Sequence, residues 1–269
     1  MINKSCGPLS EYLYFAVTSM RIEKYLPADY LKPYVQSFMI IESTDGMVNN
    51  ILPDTSVVMA FRYKGIIEDN GHSLPVSAIT GLRNVPRIIS YQKNTAALLV
   101  VFTAGGAAAF FKLPMHELFK CSLSLDEVTD CREIEERLSE ALTTHERIRI
   151  TERFLLSILK GQQDSLVLHA IKLIRQAKGD LRIKSLLPQL HISQDAFEKR
   201  FRKVTGTSPK QFAVTVRLRS VIEQYAKKPM SLTAVAHTAG YFDQAHFIKD
   251  FRSFTGQTPQ SFFASPVFW

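Results

Sequence analysis

Ser193-Gln-Asp-Ala-Phe-Glu-Lys-Arg-Phe-Arg-Lys-Val-Thr-Gly-Thr-Ser-Pro209 returns fifty residues later as Asp243-Gln-Ala-His-Phe-Ile-Lys-Asp-Phe-Arg-Ser-Phe-Thr-Gly-Gln-Thr-Pro259. Eight of the seventeen positions are identical: Gln194/Gln244, Phe197/Phe247, Lys199/Lys249, Phe201/Phe251, Arg202/Arg252, Thr205/Thr255, Gly206/Gly256 and Pro209/Pro259. Two copies of one supersecondary unit follow. Each copy opens on an N-cap residue, Ser193 or Asp243. It runs for three turns to a glycine at a C′-like position, with a proline beyond that prevents continuation. Phe197, Phe201 and Val204 fall at i, i+4, i+7, as do Phe247, Phe251 and Phe254, so each helix has one apolar stripe for a core. The opposite face carries Asp195, Lys199 and Arg202 flanked by Glu198 in the first copy, and Ala245, Lys249 and Arg252 flanked by Ile248 in the second.

A shorter apolar segment precedes each helix, Ile183 to Leu190 and Leu232 to Ala239, separated from it by a tight turn containing His191-Ile192 or Gly240. Helix, short turn, helix is the helix-turn-helix arrangement, whose second helix lies in a major groove and offers exposed side chains to base edges. The competing assignment, a plain αα-hairpin in a bundle, explains one copy better than two. Between the copies, Lys210 to Lys228 reads as one long helix ended by Pro229. At 1.5 Å per residue it spans about 28 Å, against about 34 Å between successive major grooves on one face of B-DNA. A rod of that order suits two recognition helices in adjacent grooves.

The surrounding composition agrees. The chain has 269 residues, 46% hydrophobic and 22% charged, which suffices for about two domains with full cores and excludes disorder, collagen and a coiled coil. No apolar run approaches the ~20 residues that cross a bilayer, and the best early candidate, Tyr12 to Val17, is short and follows Glu11. The reading is a soluble, uncleaved cytoplasmic protein with no membrane partner. Its three cysteines, Cys6, Cys121 and Cys131, form no CxxC pair and suit a reducing compartment as ordinary thiols. Residues 165–269 hold 16 Lys and Arg against 6 Asp and Glu, whereas residues 1–164 hold 17 against 19. The excess positive charge therefore sits on the repeat, where it attracts polyanions; by itself it does not choose among DNA, RNA and anionic lipid.

These residues resemble the tandem helix-turn-helix domain of the AraC/XylS family of bacterial transcription regulators. The resemblance spans about 165–269 and includes Arg217-Leu218 in the linker and the series Ala236…Gly240-Tyr241…Asp243…Phe247…Phe251-Arg252…Gly256…Thr258-Pro259. The first copy departs from the pattern at Leu187, and the linker at Val221, where the family usually has Ala. The resemblance implies base contacts from Asp195, Glu198 and Lys199 in the first recognition helix and from Gln244, Ala245, Ile248 and Lys249 in the second. Lysine suits guanine O6/N7, a carboxylate cytosine N4, Gln244 adenine, and Ala245 a thymine methyl. Arg202, Lys203 and Arg252 are expected on phosphates, where they set register.

Upstream, strand-like runs occur at Val35 to Ile41, Val57 to Tyr63, Arg87 to Tyr91 and Ala97 to Phe102, with turns at Asp45-Gly46 and Asp69-Asn70-Gly71. Helical patterns follow at Ala107 to Lys112, Glu133 to Leu142, and from the capped Thr143-x-x-Glu146 through Lys160, whose Ile148, Phe154, Leu155 and Ile158 face inward. Phe102 to Gly106 and Leu113 to Leu118 look like segments shared by a group of AraC-type sensor halves. No cofactor and no metal site is expected: Gly105-Gly106 lacks the rest of a phosphate loop, and the seven histidines never occur as HxH, HxxxH or HExxH. GxSxG is absent, and neither Cys121 nor Cys131 has a nucleophile signature. Tyr34, Phe38, Phe61, Tyr63 and Tyr91 sit at strand spacing and read as core rather than pocket lining. Residues 1–19, before Met20, carry few structural cues and are expected to be either a disordered extension or an upstream start choice.

The expected fold is α+β: a β-rich N-terminal sensing or dimerisation domain with flanking helices (1–164), then an all-α domain (165–269) with helix-turn-helix motifs at about 183–204 and 232–254 joined by a linker helix. The function class is a sequence-specific DNA-binding transcription regulator, not an enzyme. Its partners are double-stranded DNA and, by the resemblance, RNA polymerase, a small-molecule effector and a second copy in a homodimer. Two other classes compete. A DNA-repair enzyme using the helical domain for docking needs a Pro-Cys-His-type nucleophile segment, which is absent. A non-specific polyanion binder leaves the repeat without a purpose.

Overall fold

The computed structural model describes residues 20–227 and 231–264. The expectation for residues 1–19 and the Lys228-Pro229 end of the linker lie outside them. Among the described residues, ten antiparallel strands form two sheets. β1 (Met20–Tyr25), β2 (Val35–Ser43), β9 (Thr95–Phe102), β4 (Val58–Lys64), β7 (Ser77–Thr80) and β10 (Ser122–Ser124) are neighbours in that order. The smaller sheet runs β3 (Met47–Ile51), β8 (Arg87–Tyr91), β5 (Ile67–Asp69), β6 (His72–Ser73).

Period-two alternation places the larger sheet between two layers. Phe38, Ile40, Met59, Phe61, Leu98, Val100 and Phe102 turn to one face, where they pack with Ile134 and Leu138 of α1 (Arg132–Glu140) and Ile148, Leu155 and Ile158 of α2 (Thr144–Ile158). Ile41 and Ala97 turn to the other face, against Ile67, Ile89 and Tyr91 of the smaller sheet. Tyr34, Phe38, Phe61, Tyr63 and Tyr91 are all core or packed against it. The expected capping box is half present: Thr143 Oγ1 accepts from the Glu146 amide at 3.2 Å, while Glu146 reaches back to the amide of Leu142 rather than Thr143.

The helix expected at Ala107 to Lys112 is only a 3-10 turn at Ala107–Ala109. Ala109, Phe110 and Phe111 are buried in succession, which no single stripe of a helix allows. Leu113 precedes Pro114 and is biased away from helical backbone.

The remaining elements are helical: α3 (Ser165–Gln176), capped by Asp164; a 3-10 turn at Ile183–Leu186 running into α4 (Leu187–Leu190); α5 (Gln194–Thr205); α6 (Pro209–Lys227); α7 (Leu232–Thr238); α8 (Gln244–Thr255); and α9 (Pro259–Ala264). The single segment expected over Ile183 to Leu190 is broken, because Pro188 lacks an amide and its ring crowds the carbonyl four residues back. Pro209 and Pro259 do more than stop a helix. Each opens the next one, where the missing amide costs nothing. No helix among the described residues is long and apolar enough to cross a membrane.

Candidate nucleic-acid interface

The two repeat helices are built alike atom by atom. Ser193 Oγ accepts from the Ala196 amide at 3.4 Å, and Asp243 Oδ1 from the His246 amide at 2.7 Å. Gly206 (φ +91°) and Gly256 (φ +79°) end the helices in the left-handed region, their amides donating to the Arg202 and Arg252 carbonyls. Each preceding threonine locks the corner: Thr205 Oγ1 donates to the Phe201 carbonyl and Thr255 Oγ1 to that of Phe251, both at 2.9 Å. Inward, Phe197 and Phe201 stack edge-on with ring centroids 5.5 Å apart, and Phe247 and Phe251 meet at the same distance.

Outward, Asp195, Lys199, Arg202, Lys203, Gln244, Ala245, Lys249 and Arg252 are exposed, whereas Glu198 and Ile248 are half-buried. Arg202 grips Glu198 Oε1 through Nη2 (2.7 Å) and Nε (3.1 Å), so the groups expected on a phosphate and on a cytosine hold each other in the free protein. Ile248 packs against the second motif's core. Lys203 faces sideways into a cleft shared with Lys112, Asp164 and Arg200. Thr233 Oγ1 approaches Gln244 Oε1 at 3.5 Å, linking α7 to the start of α8.

Sequence reasoning missed the residues that join these parts. Arg217, on α6, donates to the Gly179 carbonyl at 2.8 Å and lies 5.3 Å from the Tyr241 ring centre in the second turn. Tyr241 OH approaches Asp250 Oδ2 at 3.4 Å, and burial, then Asp250, hold the phenol well above its ordinary pKa. The Arg217-Leu218 pair was visible as a motif; its partners in distant loops were not.

A second set ties the helices to the β-rich half. Arg219 donates to the Pro53 carbonyl (Nε, 2.8 Å) and the Leu52 carbonyl (Nη2, 3.2 Å) and pairs with Asp54 at 3.3 Å. Leu52 itself is buried in the second motif's core, and Arg175 reaches Thr55 Oγ1 at 3.2 Å. At α5, a Cβ on Gly206 would stand 3.0 Å from the Met115 carbonyl oxygen, and Val204 lies against Gly105. The Gly105-Gly106 and Leu113 to Leu118 segments therefore abut α5. Arg219→Ala removes charge-assisted bonds of about 1.5–3 kcal/mol each. Hydrogen exchange at the amides of Leu52, Asp54 and Thr55 should then accelerate, while exchange in β2 and β9 stays as in the parent.

Among the described residues no group of three or more His, Cys, Asp or Glu is placed to hold a metal ion. Both described thiols are held protonated. Burial raises the pKa of Cys121, and burial followed by Glu135 pushes that of Cys131 up to about 12.

Residues 186–265 match the model of a family described as a helix-turn-helix domain, and residues 23–124 match that of a domain of unknown function. An uncharacterized HTH-type transcriptional regulator of Haemophilus influenzae is 27% identical over 154 residues, covering 55% of this chain and 52% of that protein. The Msm operon regulatory protein of Streptococcus mutans is 27% identical over 117 residues, 42% of each chain. The chain thus spans about half or less of the length of these relatives. Among solved structures, ToxT from Vibrio cholerae superposes with a TM-score of 0.47 at 11% identity, over 91% of this chain and 97% of that one.

Proposed function

We propose that this chain, whose residues 186–265 form an AraC-type helix-turn-helix domain, is a sequence-specific DNA-binding transcription regulator. The observation that carries the reading is the duplicated capped helix, its rings inward and its lysines outward, one copy before and one copy after a single 19-residue linker helix in the chain. Residues 165–269 are the DNA-binding domain, and residues 1–164 sense a small-molecule effector or mediate homodimerisation and thereby alter occupancy. RNA polymerase is the downstream partner, and the cytoplasm the place of action. Asp195, Glu198, Lys199, Gln244, Ala245, Ile248 and Lys249 read bases, and Arg202, Lys203 and Arg252 hold phosphates. Glu198 is freed for this when a phosphate takes Arg202 from it.

Selection of bound sequences from random duplex DNA with the full chain tests the reading. It should return one site of about two helical turns. Lys199→Ala or Lys249→Ala should then cost roughly 1–3 kcal/mol and relax preference at particular base pairs, while Arg252→Ala weakens all sequences alike and flattens the salt dependence. Enrichment of no sequence, or unchanged affinity in both lysine variants, overturns the assignment.

A further inference from the structure

The second motif contains an aromatic side chain that the fold does not use. Phe242 is 98% exposed, immediately before the N-cap of α8. Its counterpart fifty residues earlier, Ile192, is partly buried and packs against the first motif's core. An apolar residue in this position ordinarily staples the helix by packing on the fourth helical residue, here Phe197 in α5 and Phe247 in α8. In the second copy Tyr241 has taken that role: its ring meets Phe247 edge-on at 5.3 Å and His246 at 5.2 Å. Phe242 is thereby released from packing and directed into solvent, beside the exposed Gln244 and Ala245.

We propose that Phe242 is a DNA-contacting residue that sets specificity, its ring covering a thymine methyl and the adjacent deoxyribose at the edge of the groove that receives the start of α8. The inference rests on the reading of α8 as a recognition helix, whose N-terminal end is the one that approaches base edges. Continuity with Gln244 and Ala245 identifies the occupant as duplex DNA. The neighbouring Asp243 turns its Oδ1 back onto the His246 amide as the helix N-cap. Phenylalanine is among the residues that recognise the thymine methyl by apolar contact.

The test uses the full chain and the site returned by selection. Phe242→Ala should weaken binding by roughly 5- to 150-fold, the usual range for one good base contact. It should abolish preference for thymine at one position and leave both the thermal melt and the slope of affinity against salt unchanged, since neither core nor phosphate contact is touched. Phe242→Leu should retain most of the affinity. Replacing that thymine by deoxyuridine should weaken the parent protein and not the alanine variant. A parent that selects a site while Phe242→Ala binds it with equal affinity and equal preference overturns this proposal alone. A parent that selects no site overturns it together with the reading beneath it.

Discussion

Phe251→Ala is expected to destabilise the second motif by about 3–5 kcal/mol, the cost of removing a fully buried ring and leaving its cavity. The ring has 0% exposure and meets Phe247 at 5.5 Å, Phe262 at 5.4 Å and Phe263 at 5.3 Å. Around it stand Leu218 and Val221 of the linker, Val235 and Ala236 of α7, and Leu52 from the β-rich half. Four other elements therefore share the cluster with this side chain, and its rigid aromatic neighbours cannot close the space. The loss should register as a lower urea midpoint for the helical half. The protected DNA footprint should contract from two adjacent grooves to one, because the first motif has its own core around Phe197, Phe201 and Phe212. An unchanged midpoint would show that the second motif is not held by this cluster.

A comparable effect is expected outside the two repeat helices. Asp69 is 8% exposed, and its Oδ2 accepts from Arg83 Nη2 at 2.9 Å and Arg87 Nη1 at 3.2 Å. Both arginine side chains are largely covered, with 16% and 15% of their surface exposed, and burial already lowers the pKa of Arg87. Asp69→Ala leaves two cations buried without their counter-charge, a change that costs about 3–5 kcal/mol. Replacing Arg83 and Arg87 by methionine in the Asp69→Ala background should restore much of the stability, since the penalty is an unpaired charge rather than a lost shape. The consequence reaches the proposed DNA interface. Asn84 lines a cleft with His246 and Asp250 of α8, and Pro86 stands against Gly256. Thermal melts of the two variants decide the matter: a shift below about 1 kcal/mol for Asp69→Ala would mean the arginines find other partners.

Strands with clean alternation were legible. Arg87 to Tyr91 has the expected bounds, the runs from Val35 and Ala97 lie in β2 and β9, and the run from Val57 overlaps β4, which starts one residue later. β3 was not, because its pattern is inverted: Val48 is 67% exposed while Asn49 is buried, its Nδ2 directed at Met20 Sδ. β5, β6 and β10 are two or three residues long and exist only through their pairing partners, so they leave no periodic trace.

Local chemistry determined the two capped helices, their aromatic stripes, the left-handed glycines that end them and the α+β order of the chain. Each of these is written in residues within a few turns of one another, where periodicity and capping act directly. Tertiary structure alone decided that Leu52 completes a core more than 160 residues away, that Arg219 ties that loop to the linker, and that of two equivalent residues Ile192 folds inward while Phe242 faces solvent. Those outcomes follow from which side chain reaches a shared cavity first in space, and spacing along the chain carries no record of it.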